Sequence, residues 1–161
     1  MDVALVEALY QHPRAGDLEL SRLTKVARAT VQSRLLKLQA AGIIVDFGPR
    51  IDLAAAGHSV LAFVTLEIAQ GSLEAVTAEL TVLPNVLEAY VTTGTADVFC
   101  KIAATSHEDL QEVLLKINQS ASVVRSVSVI VLSELVGSRA LPMLRRGAAS
   151  HGTRAPSYRK D

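Results

Sequence analysis

The chain reads as an α+β protein in which an N-terminal, winged helix-turn-helix unit precedes a βαββαβ module. Three observations predict this. Up to about residue 45, apolar residues recur at helical spacing in three short windows separated by Pro and Gly breakers. Beyond Gly57-His58 the period becomes two, and four strand-like runs alternate with two helical stripes. Charge is also segregated: residues 1–52 carry seven Lys/Arg against six Asp/Glu, residues 53–137 three against nine, and residues 138–161 six against one. Such asymmetry is expected where one part of a chain meets a polyanion and another does not.

Asp2 is placed to cap a first helix running to about Gln11, with Val3, Val6, Leu9 and Tyr10 as its apolar stripe. His12-Pro13-Arg14-Ala15-Gly16 breaks it, and Asp17 caps a second helix from Leu18 to about Lys25 that buries Leu20 and Leu23. After a turn near Val26-Ala27 comes the third helix, residues 28–41, RATVQSRLLKLQAA. Val31, Leu35 and Leu38 fall on one face, while Thr30, Ser33, Arg34 and Lys37 fall on or beside the other. Gly42 stands where a helix ends on a left-handed residue. From Leu20 to Val45 there are five cations (Arg22, Lys25, Arg28, Arg34, Lys37) and no carboxylate. A helix that is apolar behind and hydroxyl, amide and cation in front suits a DNA major groove. A ligand-free three-helix bundle would instead mix acids and bases on every face. Residues 43–52 read as a small hairpin, or wing, turning at Gly48-Pro49.

In the second part, residues 60–68 form a strand that is apolar on both faces. Ser72 caps a helix carrying Leu73, Val76, Leu80 and Leu83, ended by Pro84-Asn85. Residues 86–93 and 96–104 are strands joined through Gly94-Thr95. Ser106 with Asp109 resembles a capping box ahead of Leu110, Val113, Leu114 and Ile117. A last strand covers residues 123–135. This order is the ferredoxin-like split βαβ arrangement, with both helices on one face of the sheet. The other face would expose an apolar patch, so a second copy is expected to pack sheet against sheet, at ~25 cal/mol per Å² buried.

Half of the residues are apolar, aromatics are 4% and Trp is absent, so the cores are built from Val, Leu, Ile and Ala. The single cysteine, Cys100, forms no intrachain disulfide, fits a reducing compartment and is read as a core residue. No signal peptide is visible, and no apolar run approaches the roughly 20 residues a bilayer span needs, so a soluble cytoplasmic protein without a membrane partner is expected. The four histidines lack zinc-like spacing, and there is no P-loop or Ser-His-Asp grouping, so no metal, no cofactor and no catalytic residue is expected. Residues 137–161, rich in Arg, Ser, Gly and Ala, read as a disordered basic tail.

Taken together, the chain resembles the Lrp/AsnC (feast/famine) family of bacterial transcriptional regulators. The residues that carry the resemblance are Arg28-Ala29-Thr30-Val31-Gln32-Ser33-Arg34-Leu35, then Leu38 with Gly42-Ile43-Ile44, Pro84 and Val86, Thr93-Gly94-Thr95-Ala96-Asp97, and Val124-Arg125-Ser126. The resemblance covers about residues 1–136. It implies a helix-turn-helix domain over 1–45, a linker or wing strand over 46–59, and a RAM/ACT-like dimerisation and effector domain over 60–136. It also implies octamers or larger assemblies, association with the nucleoid, and a small ligand, usually an amino acid, bound where dimers meet. Carried over by position, Thr93, Gly94, Thr95, Ala96 and Asp97 form one wall of that pocket, and Ser128, Ile130 and Leu132 belong to the other. Two departures stand out: Ala27 replaces the usual Ser cap before the recognition helix, and Ala96 replaces an aromatic.

On this reading the partner is double-stranded DNA, contacted by Arg22, Arg28, Thr30, Gln32, Ser33, Arg34, Lys37 and, on the wing, Arg50. Thr30 and Ser33 face base edges, Arg34 meets either a guanine or a phosphate, and Arg22, Arg28 and Lys37 meet phosphates. Two alternatives use the same scaffold. One is an enzyme resembling the siroheme decarboxylases, for which the module offers only Tyr90, His58 and His107 as acid–base groups. The other is an architectural DNA binder that responds to no effector.

Overall fold

Three short helices open the chain: α1 over Val3–Gln11, α2 over Asp17–Thr24 and α3 over Arg28–Ala40. The structure is a computed structural model, and it describes residues 2–151. Asp2 caps α1, its carboxylate accepting the Leu5 N–H at 3.4 Å. Helix α2 starts one residue earlier than the sequence suggests, from an extended Gly16, so Asp17 lies inside the first turn rather than capping it. There, with Glu19, it still opposes the positive end of the helix dipole. The turn into α3 is made by Lys25 in the left-handed region (φ 55°) and is tied by the Ser21 hydroxyl, which donates to the Val26 carbonyl at 2.6 Å. Leu5, Ala8, Leu20, Val31 and Leu38 form the core, with Leu35 partly buried against them. Leu23, expected inside, is exposed. Gly42 (φ 66°) ends α3 and lets the Ile43 N–H return to the Leu38 carbonyl at 2.9 Å.

Two expectations at the edges of this unit fail. No wing forms, because residues 45–52 contain no strand, although Asp46 turns back to accept the Gly48 N–H at 2.8 Å. The flanks of Gly48-Pro49 are short and their apolar side chains find nothing to cover them: Val45 is 88% and Ile51 65% exposed. An isolated hairpin of that size is marginal in water. The basic tail, in turn, is not structureless as far as it is described. Residues Leu141–His151 form a helix, α6, which packs on α1 with Leu141 buried and an Arg145–Glu7 ion pair. Pro142 sits at the start of this helix, where a missing N–H costs nothing. Residues 152–161 of the expected tail lie outside the described residues. The first compact unit therefore comprises residues 2–49 together with 136–151, and the second is Arg50–Leu135.

The second unit runs β1 (Val60–Ile68), α4 (Leu73–Thr81), β2 (Val86–Val91), β3 (Val98–Ala104), α5 (His107–Asn118) and β4 (Val123–Ile130). The sheet order is β2-β3-β1-β4 and every pairing is antiparallel, which is the ferredoxin-like arrangement. Val60, Ala62, Val64 and Leu66 alternate onto the helix side, where they pack with Val98, Cys100, Ile102, Ala104 and the stripes of α4 and α5. Ser106 caps α5 as expected, accepting the Asp109 N–H at 3.1 Å, but the Asp109 carboxylate turns to the Thr105 N–H and hydroxyl instead of closing the box on Ser106. Ser72 precedes α4 without a side-chain cap bond. Strand β4 stops at Ile130 rather than reaching residue 135, leaving Leu132 97% exposed. No helix among the described residues is long and apolar enough to cross a membrane.

Candidate nucleic-acid interface and effector site

The polar side of α3 faces outward. Val31 and Leu38 are buried and Leu35 half-buried, which fixes the rotation of the helix and leaves Arg28, Thr30, Gln32, Ser33, Arg34 and Lys37 exposed. Arg22, on α2, is exposed as well. Arg50 is exposed too, but in the irregular segment of the second unit and not on a wing. Ala27 begins α3 in an extended conformation and makes no side-chain cap bond, its carbonyl instead accepting the Thr30 and Val31 N–H groups at 2.9 and 3.0 Å. One residue escaped the sequence reading. Asp2, thirty-two positions away, forms an ion pair with Arg34, so the acid-free stretch of sequence is not an acid-free surface. The signal was present only in part: Asp2 was legible as a cap, but its second oxygen became available to α3 only through the packing of α1.

The predicted effector turn is a six-residue connection closed by its own bonds. The Thr92 N–H donates to the Asp97 carbonyl at 2.8 Å and the Thr92 hydroxyl to the Ala96 carbonyl at 2.9 Å. Gly94 has φ 118°, a conformation side chains resist, so the glycine is required by the turn itself. Asp97 is exposed, yet it also trims the end of β1: its N–H donates to the Leu66 carbonyl at 2.9 Å, and its carboxylate accepts the Ile68 N–H at 2.8 Å. Thr93 and Thr95 are exposed and Ala96 is half-buried. Ser128 and Ile130 pair with Val64 and Ala62 on β1, whereas the turn sits level with Glu67. Ordinary strand spacing then puts Ser128 roughly 14 Å and Ile130 roughly 19 Å from Asp97, and Leu132 lies past the end of β4. One chain does not bring the two walls together.

The sheet face away from the helices carries Leu61, Phe63, Phe99, Val127 and Val129, with Val129 61% exposed. Phe63 and Phe99 stack at 5.2 Å between ring centroids. At its β2 side the Tyr90 hydroxyl donates to Glu88 at 2.6 Å and Lys101 lies 3.3 Å from the same carboxylate. These two partners, Tyr90 first, hold the Glu88 carboxyl below the usual range, and Glu88 in return raises the Tyr90 phenol. Cys100 is fully buried on the helix side, and burial pushes its thiol up to about 11, which makes it inert.

Comparison with known proteins agrees with this geometry. Residues 1–45 match the model for winged helix-turn-helix DNA-binding domains, and residues 61–141 match that of the Lrp/AsnC ligand-binding domain. The HTH-type transcriptional regulator FL11 of Pyrococcus horikoshii is 31% identical over 143 residues, covering 89% of this chain and 95% of that protein. The solved structure of E. coli AsnC superposes with a TM-score of 0.81 at 29% identity, covering 88% of this chain and 96% of that one. A feast or famine regulatory protein from M. tuberculosis, complexed with L-methionine, gives 0.78 at 28% identity, covering 86% and 95%. The relatives are archaeal as well as bacterial, so the likeness is not confined to bacteria, and they are named regulators rather than enzymes. With a DNA-binding helix-turn-helix in front and the family's ligand-binding sheet behind, the chain belongs to the Lrp/AsnC family of transcriptional regulators.

Proposed function

We propose that this protein is a sequence-specific regulator that binds pseudo-palindromic duplex DNA as a homodimer or a higher assembly such as an octamer, and that an amino acid modulates this binding. The observation that carries the reading is the outward side of α3, where Arg28, Thr30, Gln32, Ser33, Arg34 and Lys37 are exposed together. Thr30, Gln32 and Ser33 read base edges. Arg22, Arg28 and Lys37 hold phosphates, and Arg34 exchanges Asp2 for DNA. Arg50 adds a contact from the linker. Two such helices in a dimer enter successive major grooves roughly 34 Å apart. The uncovered face around Phe63 and Phe99 supports self-association, and binding of this kind places the protein on the nucleoid in the cytoplasm.

The effector site is assigned to the Thr93–Asp97 turn of one copy and to Ser128, Ile130 and Leu132 of another, since these groups stand apart within one chain. The M. tuberculosis neighbour's L-methionine supports an amino acid as the ligand class. Asp97 retains one carboxylate oxygen for an α-amino group after serving the Ile68 N–H. The test has two arms. Lys37→Ala should weaken operator binding and reduce the salt slope by about 1, as loss of one phosphate contact does. Titration calorimetry with the twenty amino acids should find a ligand for the native protein that Asp97→Asn, which keeps an acceptor for Ile68, no longer binds. Unchanged salt dependence refutes the DNA assignment, and equal binding by Asp97→Asn refutes the effector assignment.

A further inference from the structure

We infer that α6 is a fourth helix of the DNA-binding unit and adds a phosphate-contacting surface to it, an inference that rests on the DNA-binding reading above. The first observation is charge. Residues 2–49 hold six Lys/Arg against five Asp/Glu, whereas residues 136–151 bring Arg139, Arg145 and Arg146 and no acid, raising the unit from +1 to +4. Most of the net positive charge of the unit therefore comes from the far end of the chain, and a polyanion responds to that summed field.

The second observation is that this charge is held in place. Helix α6 packs on α1, Leu141 is buried, Leu144 is half-buried, and Arg145 pairs with Glu7. Both carboxylates at α1 are thereby matched by a cation, Asp2 by Arg34 from α3 and Glu7 by Arg145 from α6. Without α6, Glu7 would stand unmatched in a unit that has to approach phosphates. The match to the family's ligand-binding model ends at residue 141, so nearly all of α6 lies beyond it. The chemistry selects the duplex backbone rather than base edges, because the contribution is one of net charge.

The experiment measures binding of the full chain to a labelled duplex of mixed sequence, about 40 base pairs long, by anisotropy between roughly 50 and 300 mM KCl. The double variant Arg139→Gln/Arg146→Gln keeps the Arg145–Glu7 pair and should flatten the salt slope by about 1 per lost contact, with about fivefold weaker binding per contact near 0.15 M salt. Leu141→Ser, which frees the helix but keeps every arginine, should also weaken binding. Parallel salt lines for the double variant overturn the added surface, and native affinity in Leu141→Ser overturns the docked helix as its carrier. If the unaltered protein fails to bind duplex DNA, the DNA-binding reading itself falls, an outcome separate from either of these.

Discussion

Asp2 does two jobs with its two oxygens: one accepts the Leu5 N–H that starts α1, and the other pairs with Arg34 on the exposed side of α3. On the proposed DNA-binding reading a carboxylate beside that surface opposes binding, so Asp2→Asn, which keeps the capping oxygen and drops the charge, should tighten operator binding by about two- to fivefold. Anisotropy titration of the two proteins checks this, and the helicity of α1 should not change. Residues of this sort mark what the sequence hides. The exposed face of α3 is legible in advance because Val31 and Leu38 set its rotation. That Arg34 has an acidic neighbour is not, because the contact spans two helices. Asp97 is legible as a turn residue, but its bond to Ile68 depends on β1 ending beside the hairpin, which only the sheet order decides.

At the level of elements, helix starts follow the sequence pattern closely whether or not a side-chain cap bond forms, α2 alone shifting by one residue. Asp2 and Ser106 act as predicted, whereas Ser72 and Ala27 provide no side-chain bond. Ala27 already has the extended backbone a cap requires, so Ala27→Ser should stabilise α3 by about 1 kcal/mol, read as roughly fivefold slower amide exchange along that helix. At α5, the Thr105 N–H and hydroxyl depress the Asp109 carboxyl, and a bond to Ser106 foremost depresses Glu108. A carboxylate with a lowered folded-state pKa stabilises above its unfolded value and loses that contribution as pH falls through the folded one. The melting temperature should therefore hold from neutrality to about pH 4 and drop below it. Asp109→Asn should show a smaller drop over the same range in a calorimetric pH series. The wing failed as an element for want of a surface to bury Val45, Phe47 and Ile51, and α6 was missed because its helical stripe is short and interrupted by Gly147.

For the whole molecule, the alternation of β1 made the fold class readable, since a strand apolar on both sides demands cover on both. The helices supply one side only. Phe63→Glu places a charge beside Phe99 on the uncovered side, and it should shift the protein toward monomer in light scattering at micromolar concentration while leaving the opposite core intact. A dimer that survives this change would refute self-pairing through that face. The topology has a consequence of another kind. Because α6 returns to α1, the helical unit is assembled from segments on either side of the sheet in sequence. A gene fragment stopping at residue 49 encodes three helices with Glu7 bereft of Arg145. During synthesis α1 to α3 emerge before the sheet and α6 after it, so this unit can be completed only once the entire sheet has been made.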